Sequence, residues 1–236
     1  MTLRALKRNY KDVVVGSVDG SPAVLLDDRP LRTPTQEILI LPNALLAAGI
    51  AEEWRDQGDE VQPFSMPLTR IAVSAIDQVV PARDEIVRQV AGYGETDLLC
   101  YRSEREELAA RQAERWQPLL EWAAETLAVS LVSVAGIMPV TQESTSLDAL
   151  RCAVEPHGDM ELAALHLVTT TTGSVILALA LSHGEIDAGA AWDLSRVDEA
   201  WQAEHWGEDA EAAERADQHR HELLAVARFF VLCRAA

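Results

Sequence analysis

Residues 160–181 form one apolar stretch, MELAALHLVTTTTGSVILALAL, whose only ionisable side chains are Glu161 and His166. A helix that is apolar on every side must be surrounded by lipid or by protein. The membrane reading fails on three counts. Four successive threonines sit at the centre of the run, no basic flank follows, and no other such segment accompanies it. The pattern therefore predicts one buried helix at the centre of a helical bundle. Thr169 to Thr172 and Ser174 are expected to hydrogen-bond back to its carbonyls, with Gly173 letting a neighbour approach.

The sequence around this run divides in two. Between residues 10 and 41, short apolar runs (Tyr10 to Val18, Ala23 to Leu26, Leu31 to Thr33, Ile38 to Leu41) alternate with turn residues such as Asp19-Gly20 and Asp27-Asp28. That spacing predicts an antiparallel sheet. A helix follows over 43–57, with Leu45, Leu46, Ile50 and Trp54 on one face, and another over 68–79, which Pro81 is expected to end. Everything later reads as helical: 83–94, 104–127 with a kink at Pro118, a start at Ser146, a cap at Asp187 and a last helix over 210–232. Only 131–140 is expected to be extended. The fold class is α+β, with residues 1–80 as a small α/β domain and 81–236 as a larger all-α domain.

A net charge of −18 over 236 residues argues against a nucleic-acid partner, because a phosphate backbone would be repelled unless a local basic patch met it. The one basic concentration, Arg4, Lys7, Arg8 and Lys11, is too short to reverse this. No apolar signal segment follows it, which points to a cytoplasmic protein. Cys100, Cys152 and Cys233 are widely separated, show no metal or redox spacing, and read as buried free thiols.

The acid is concentrated near the end. From Asp198 to Glu222 there are nine carboxylates against Arg215 and Arg220, and Trp192, Trp201 and Trp206 fall within fifteen residues. At helical spacing Asp198, Gln202, His205 and Asp209 share one face, with Leu194 and Trp201 at its edge. Ala200, Ala203 and Gly207 share the opposite face and are small enough for close helix packing. Two readings follow: an amphipathic helix with a solvated acidic side, or a recognition surface, since Trp beside charged groups is common at interface hot spots.

Signatures of catalysis are missing. There is no glycine-rich phosphate loop, no GxSxG elbow and no His–Glu–x–x–His. His219 and His221 are two apart, on different helix faces. A hard cation held by Glu208, Asp209 and Glu211 would need a shaped loop that nothing signals. Cys100 lies among Leu98, Leu99 and Tyr101, which argues for burial over reactivity. No metal and no cofactor are expected.

Six blocks occur in order: DRPLRTP at 28–34, EEW at 52–54, MPLT at 66–69, TDLLCYR at 96–102, WQPLLEW at 116–122 and DEAWQAEHWG at 198–207. Together they resemble the assembly chaperone family that escorts the alpha subunit of the F-type ATP synthase catalytic sector. The resemblance covers residues 9–232 and points to a bacterial form. It implies a small α/β domain before a helical one, no catalysis, and binding of the alpha subunit before it meets beta. The partner-binding residues it implies are Asp198, Glu199, Trp201, Gln202, His205 and Trp206, with Glu53, Trp54 and Gly207 structural. A monomer that does not insert into membranes is expected. The competing readings are an enzyme with a metal on Asp198, His205 and Asp209, and a permanent structural subunit.

Overall fold

A computed structural model describes residues 6–207 and 210–235. The chain forms two units.

The first unit takes in Met1–Arg83, Gly158–Ala164 and Arg228–Ala236. After β1 (Leu6–Lys7), β2 (Val13–Val18), β3 (Ser21–Leu26) and β4 (Arg29–Pro30) form a three-stranded antiparallel sheet, in the register Val13↔Leu26 to Val18↔Ser21. Both turns rest on left-handed pairs. Asp19 and Gly20 have φ of 52° and 83°, and Asp27 and Asp28 have 48° and 64°. Short acidic side chains tolerate that region. Asp27 Oδ1 also accepts from the N–H groups of Lys11 and Asp12, which holds its carboxyl below the usual range. The third and fourth strands expected from the pattern are reduced to single bridges, Arg32↔Ile38 and Ala23↔Ile40.

Helix α1 (Ala44–Arg55) lays Leu46, Ala47 and Ile50 on this sheet, all fully buried. Asn43 serves two helices at once. Its Oδ1 accepts from Leu46 N, capping α1, while its Nδ2 donates to the carbonyls of Leu232 and Cys233 at 2.8 and 3.0 Å. β5 (Glu60–Val61) pairs antiparallel with β1. Helix α2 (Pro67–Ser74) continues through a π-helical turn, Ala75–Val79, into α3 (Val80–Gly92). Pro81 thus does not end the helical run. The wider π turn accommodates a residue with no N–H to give, and the break falls at Ala82 (φ −135°, ψ 30°).

The second unit holds Asp84–His157 and Leu165–Ala227. β6 (Tyr101–Arg102) leads into α4 (Glu106–Leu127), then β7 (Val134–Ala135) returns to pair in parallel with β6. Pro118 lies inside α4 on its exposed side, where a carbonyl that loses its helical donor can take water. α5 (Ser144–Val154) precedes the apolar run.

That run is two helices, not the single one expected: α6 (Asp159–Thr172) and α7 (Val175–His183). Gly173 (φ 70°) breaks the path. Three of the four threonines bond back, Thr169 to Leu165 O, Thr170 to His166 O and Thr172 to Val168 O, but Ser174 caps α7 by accepting from Leu177 N. Asp97, fully buried, fixes the break from below. It accepts from Ser174 Oγ (2.8 Å), Leu99 N (3.0 Å) and Ile176 N (3.2 Å). A capping serine and a buried carboxylate outcompete one more helical turn. Every residue from Val175 to Ser182 is buried, with α4 and α8 (Ala188–Ser195) packed on α7. Asp187 caps α8 through Ala190 N. Then come α9 (Val197–Trp206) and α10 (Ala210–Arg234). Among the described residues no helix is long and apolar enough to cross a membrane.

Cys100 is fully buried, and burial, with Asp97 beside it, pushes its thiol up to about 12. Cys152, expected inside, is exposed.

Candidate functional site

Arg196, with φ −116° and ψ 19°, separates α8 from α9. No side chain caps α9, but Asp198 and Glu199 occupy its first turn, where the helix dipole favours carboxylates. Val197 and Trp201, one turn apart, are 4% and 5% exposed and anchor α9 on the second unit. Burial of two large apolar side chains decides which face turns inward. The small-residue face expected to pack instead looks outward. Ala200 and Gly207 are exposed, and with Ala203 they line an open cleft of about 1000 Å³, between Arg111 and Arg115 on α4 and Arg220 on α10. Trp201, expected at the edge of an outward face, is a core residue.

The acidic side chains are individually held. Gln112, 1% exposed, accepts from Ser103 N with Oε1 and donates through Nε2 to Asp198 Oδ1, both at 2.6 Å. Asp198 is therefore half-buried and fixed, not a freely solvated carboxylate. Glu199 pairs with Arg196 at 3.0 Å. Glu204 takes both guanidinium nitrogens of Arg111 at 2.9 and 2.8 Å, and these bonds hold its carboxyl below the usual range. Gln202 is exposed.

The aromatic groups form one stack. His205 lies on Trp201 with ring centroids 3.9 Å apart, and its Nδ1 donates to Trp201 O at 2.7 Å. Trp206 meets Trp201 edge-on at 5.3 Å and 81°. Arg105 lies 5.3 Å from the Trp201 ring and 5.4 Å from the Trp206 ring. Trp206 is nonetheless 64% exposed, so its ring is oriented by two neighbours and open to a third. Gly207 (φ 87°, ψ 163°) ends α9 in a conformation essentially restricted to glycine. Nearby, Trp116 Nε1 donates to Leu194 O at 2.8 Å, and Arg102 lies over the Trp116 ring.

Among the described residues no group of three His, Cys, Asp or Glu side chains could hold a metal ion. Asp209, the third member of the metal cluster considered above, lies outside the described residues, as do Glu208 and the side chain of Glu211.

The Glu53–Trp54 pair belongs to the first unit. Glu53 sits at the start of α2, accepting from Leu68 N (2.7 Å), Thr69 N (2.8 Å) and Thr69 Oγ1 (2.7 Å). Burial pushes its carboxyl above the usual range against those donors. Trp54 is half-buried against Tyr10, whose hydroxyl donates to Trp54 O at 2.7 Å.

Arg105, Arg111 and Gln112 are site residues that the sequence pattern did not single out. Gln112 had a signal: it stands between Leu108 and Trp116 on the buried stripe of α4, where a polar side chain needs a partner. For Arg105 and Arg111 there was none, since their partners come from residues 93 or more positions away.

The profile of the family described as ATP12 chaperone protein matches residues 7–124. The mitochondrial protein atp12 of Schizosaccharomyces pombe is 27% identical over 228 residues, covering 90% of this chain and 78% of its own. Atp12 from Paracoccus denitrificans is similar in structure, with a TM-score of 0.92 and 43% identity, over 97% of this chain and 99% of that one. The Atu1473 protein of Agrobacterium tumefaciens gives 0.89 and 40%, over 96% and 85%.

Proposed function

The chain belongs to the ATP12 chaperone family, and on that premise we propose that it binds the unassembled alpha subunit of the F-type ATP synthase catalytic sector. It keeps that subunit from aggregating and delivers it for assembly with beta. It acts by binding, without catalysis, in a bacterial cytoplasm.

The observation that carries this reading is Trp206, a large ring 64% exposed yet held in place by Trp201 and Arg105 at the end of an acid-bearing helix. An unassembled subunit exposes a partly apolar interface that aggregates. A pre-oriented aromatic anchor covers such a surface at little entropic cost. Charged neighbours steer the encounter and keep the contact exchangeable with the true partner. Trp206, Glu199, Gln202 and His205 would touch the client. Asp198 and Trp201 would hold α9 in place, and Asp198 keeps one carboxylate oxygen for the client.

The test is light scattering of freshly diluted alpha subunit with and without the protein, followed by size exclusion. Suppressed scattering and a discrete complex that beta displaces are expected. Unchanged scattering and no complex would reject the proposal. A complex that beta cannot displace would point to a permanent subunit.

A further inference from the structure

The break between α6 and α7 leaves three backbone acceptors without donors. In an unbroken helix the carbonyls of Thr170, Thr171 and Thr172 would accept from Ser174, Val175 and Ile176. Here Ser174 N is turned to Thr172 Oγ1, Ile176 N to Asp97 Oδ2, and Val175 N to the same carboxyl. Among the described residues no other donor reaches these three oxygens. They carry the negative end of the α6 dipole.

Thr170 to Gly173 line a cavity of about 480 Å³ that Asp198 and Gln202 of α9 also line. Gln112 occupies Asp198 Oδ1; no donor among the described residues reaches Oδ2. Arg196 and His219 border the cavity, and both are engaged. Arg196 pairs with Glu199 and lies over the Trp192 ring, and His219 faces Glu222 at 3.5 Å. The wall thus joins a helix C-terminus and the Asp198 carboxylate to a few uncharged donors, among them the Gln202 amide and the Trp192 indole.

We propose that this cavity receives an arginine side chain of the client, a deepening that rests on the chaperone reading above. A guanidinium carries five N–H donors in a rigid planar fork and no acceptor. It can serve diverging carbonyls and a carboxylate oxygen together, and it is less strongly hydrated than an ammonium. The helix end and Asp198 supply the complementary charge.

The proposal is tested with two probes. In the first, N-acetyl-L-arginine amide is titrated into the full chain while the backbone amide signals of Gly173 and Ser174 are followed. Saturable shifts are expected, and they should vanish in Thr170→Arg, which supplies the cation from the same helical turn. In the second, alpha-subunit affinity is measured by calorimetry. Thr170→Arg is expected to bind about tenfold or more weakly, and Thr145→Arg, which adds the same charge at an exposed position of α5 outside the cavity, to bind like the unmodified protein. No shift with the arginine derivative, or unchanged client affinity in Thr170→Arg, would overturn the inference while leaving the chaperone reading intact. Shifts without any complex with the alpha subunit would uphold the arginine preference and overturn the client assignment.

Discussion

Gln112 and Asp198 are joined by a 2.6 Å hydrogen bond across 86 positions of sequence, from the inner face of α4 to the first turn of α9. The other end of the same amide accepts from Ser103 N. One side chain, 1% exposed, therefore fixes both the entry to α4 and the orientation of the acidic helix. Gln112→Leu keeps the volume and removes both bonds, leaving a half-buried carboxylate and an amide without partners. A loss of about 2 kcal/mol is expected in urea denaturation. An unchanged midpoint would mean that water replaces the amide.

The two tryptophans of α9 should separate stability from binding. Trp201→Ala empties a core position and should cost about 3–5 kcal/mol. Trp206→Ala removes an exposed ring and should cost less than about 1 kcal/mol, while weakening the alpha-subunit complex by about tenfold or more. Calorimetric melting and binding of the same two variants check this. A Trp206→Ala protein that binds normally would sink the anchor role.

Glu199 is exposed and, among the described residues, pairs with its helical neighbour Arg196 alone, so Glu199→Lys should leave the melting temperature nearly unchanged. Its expected effect is on encounter: a slower association with the alpha subunit, with a weaker dependence on salt. Stopped-flow association at several ionic strengths would show it. Equal salt slopes for the two proteins would place the steering charge elsewhere.

Asp97 should make stability depend on pH. Burial raises its carboxyl from 3.8 to about 6, against the pull of Leu99 N, Ser174 Oγ and Ile176 N. The folded chain then holds this proton more tightly than the unfolded chain. The contribution is therefore full below about pH 4 and is lost as pH rises through about 6, a change on the order of 3 kcal/mol. Asp97→Asn should flatten that slope when unfolding free energies are compared at pH 4, 5, 6 and 7. Parallel curves for the two proteins would refute it.

Much of this architecture was legible before any coordinates. The antiparallel sheet and its first two strands followed from apolar runs punctuated by Asp-Gly and Asp-Asp, although the strands expected at 31–33 and 38–41 are only bridges, and the buried identity of residues 175–182 followed from the absence of charge. The split at Gly173 was not legible, because its cause is Asp97, 77 positions before the capping Ser174 and absent from the local pattern. The inward face of α9 was misread for a related reason. Spacing places Ala200, Ala203 and Gly207 on one stripe, but only neighbours decide whether that stripe or Val197 and Trp201 is covered. The Trp206 position illustrates the same limit: the Arg105 guanidinium beside its ring comes from a residue 101 positions earlier.

Asn43 has a temporal meaning as well as a geometric one. Its amide holds the carbonyls of Leu232 and Cys233, and Arg228 pairs with Glu52 on the neighbouring helix at 2.8 Å. The sheet is synthesised before the helices, yet these contacts come from residues made almost two hundred positions later. On the ribosome the early segment must wait, incompletely covered, until residues 228–234 emerge. The chain thus passes through an unfinished state of its own, closed by late-made residues.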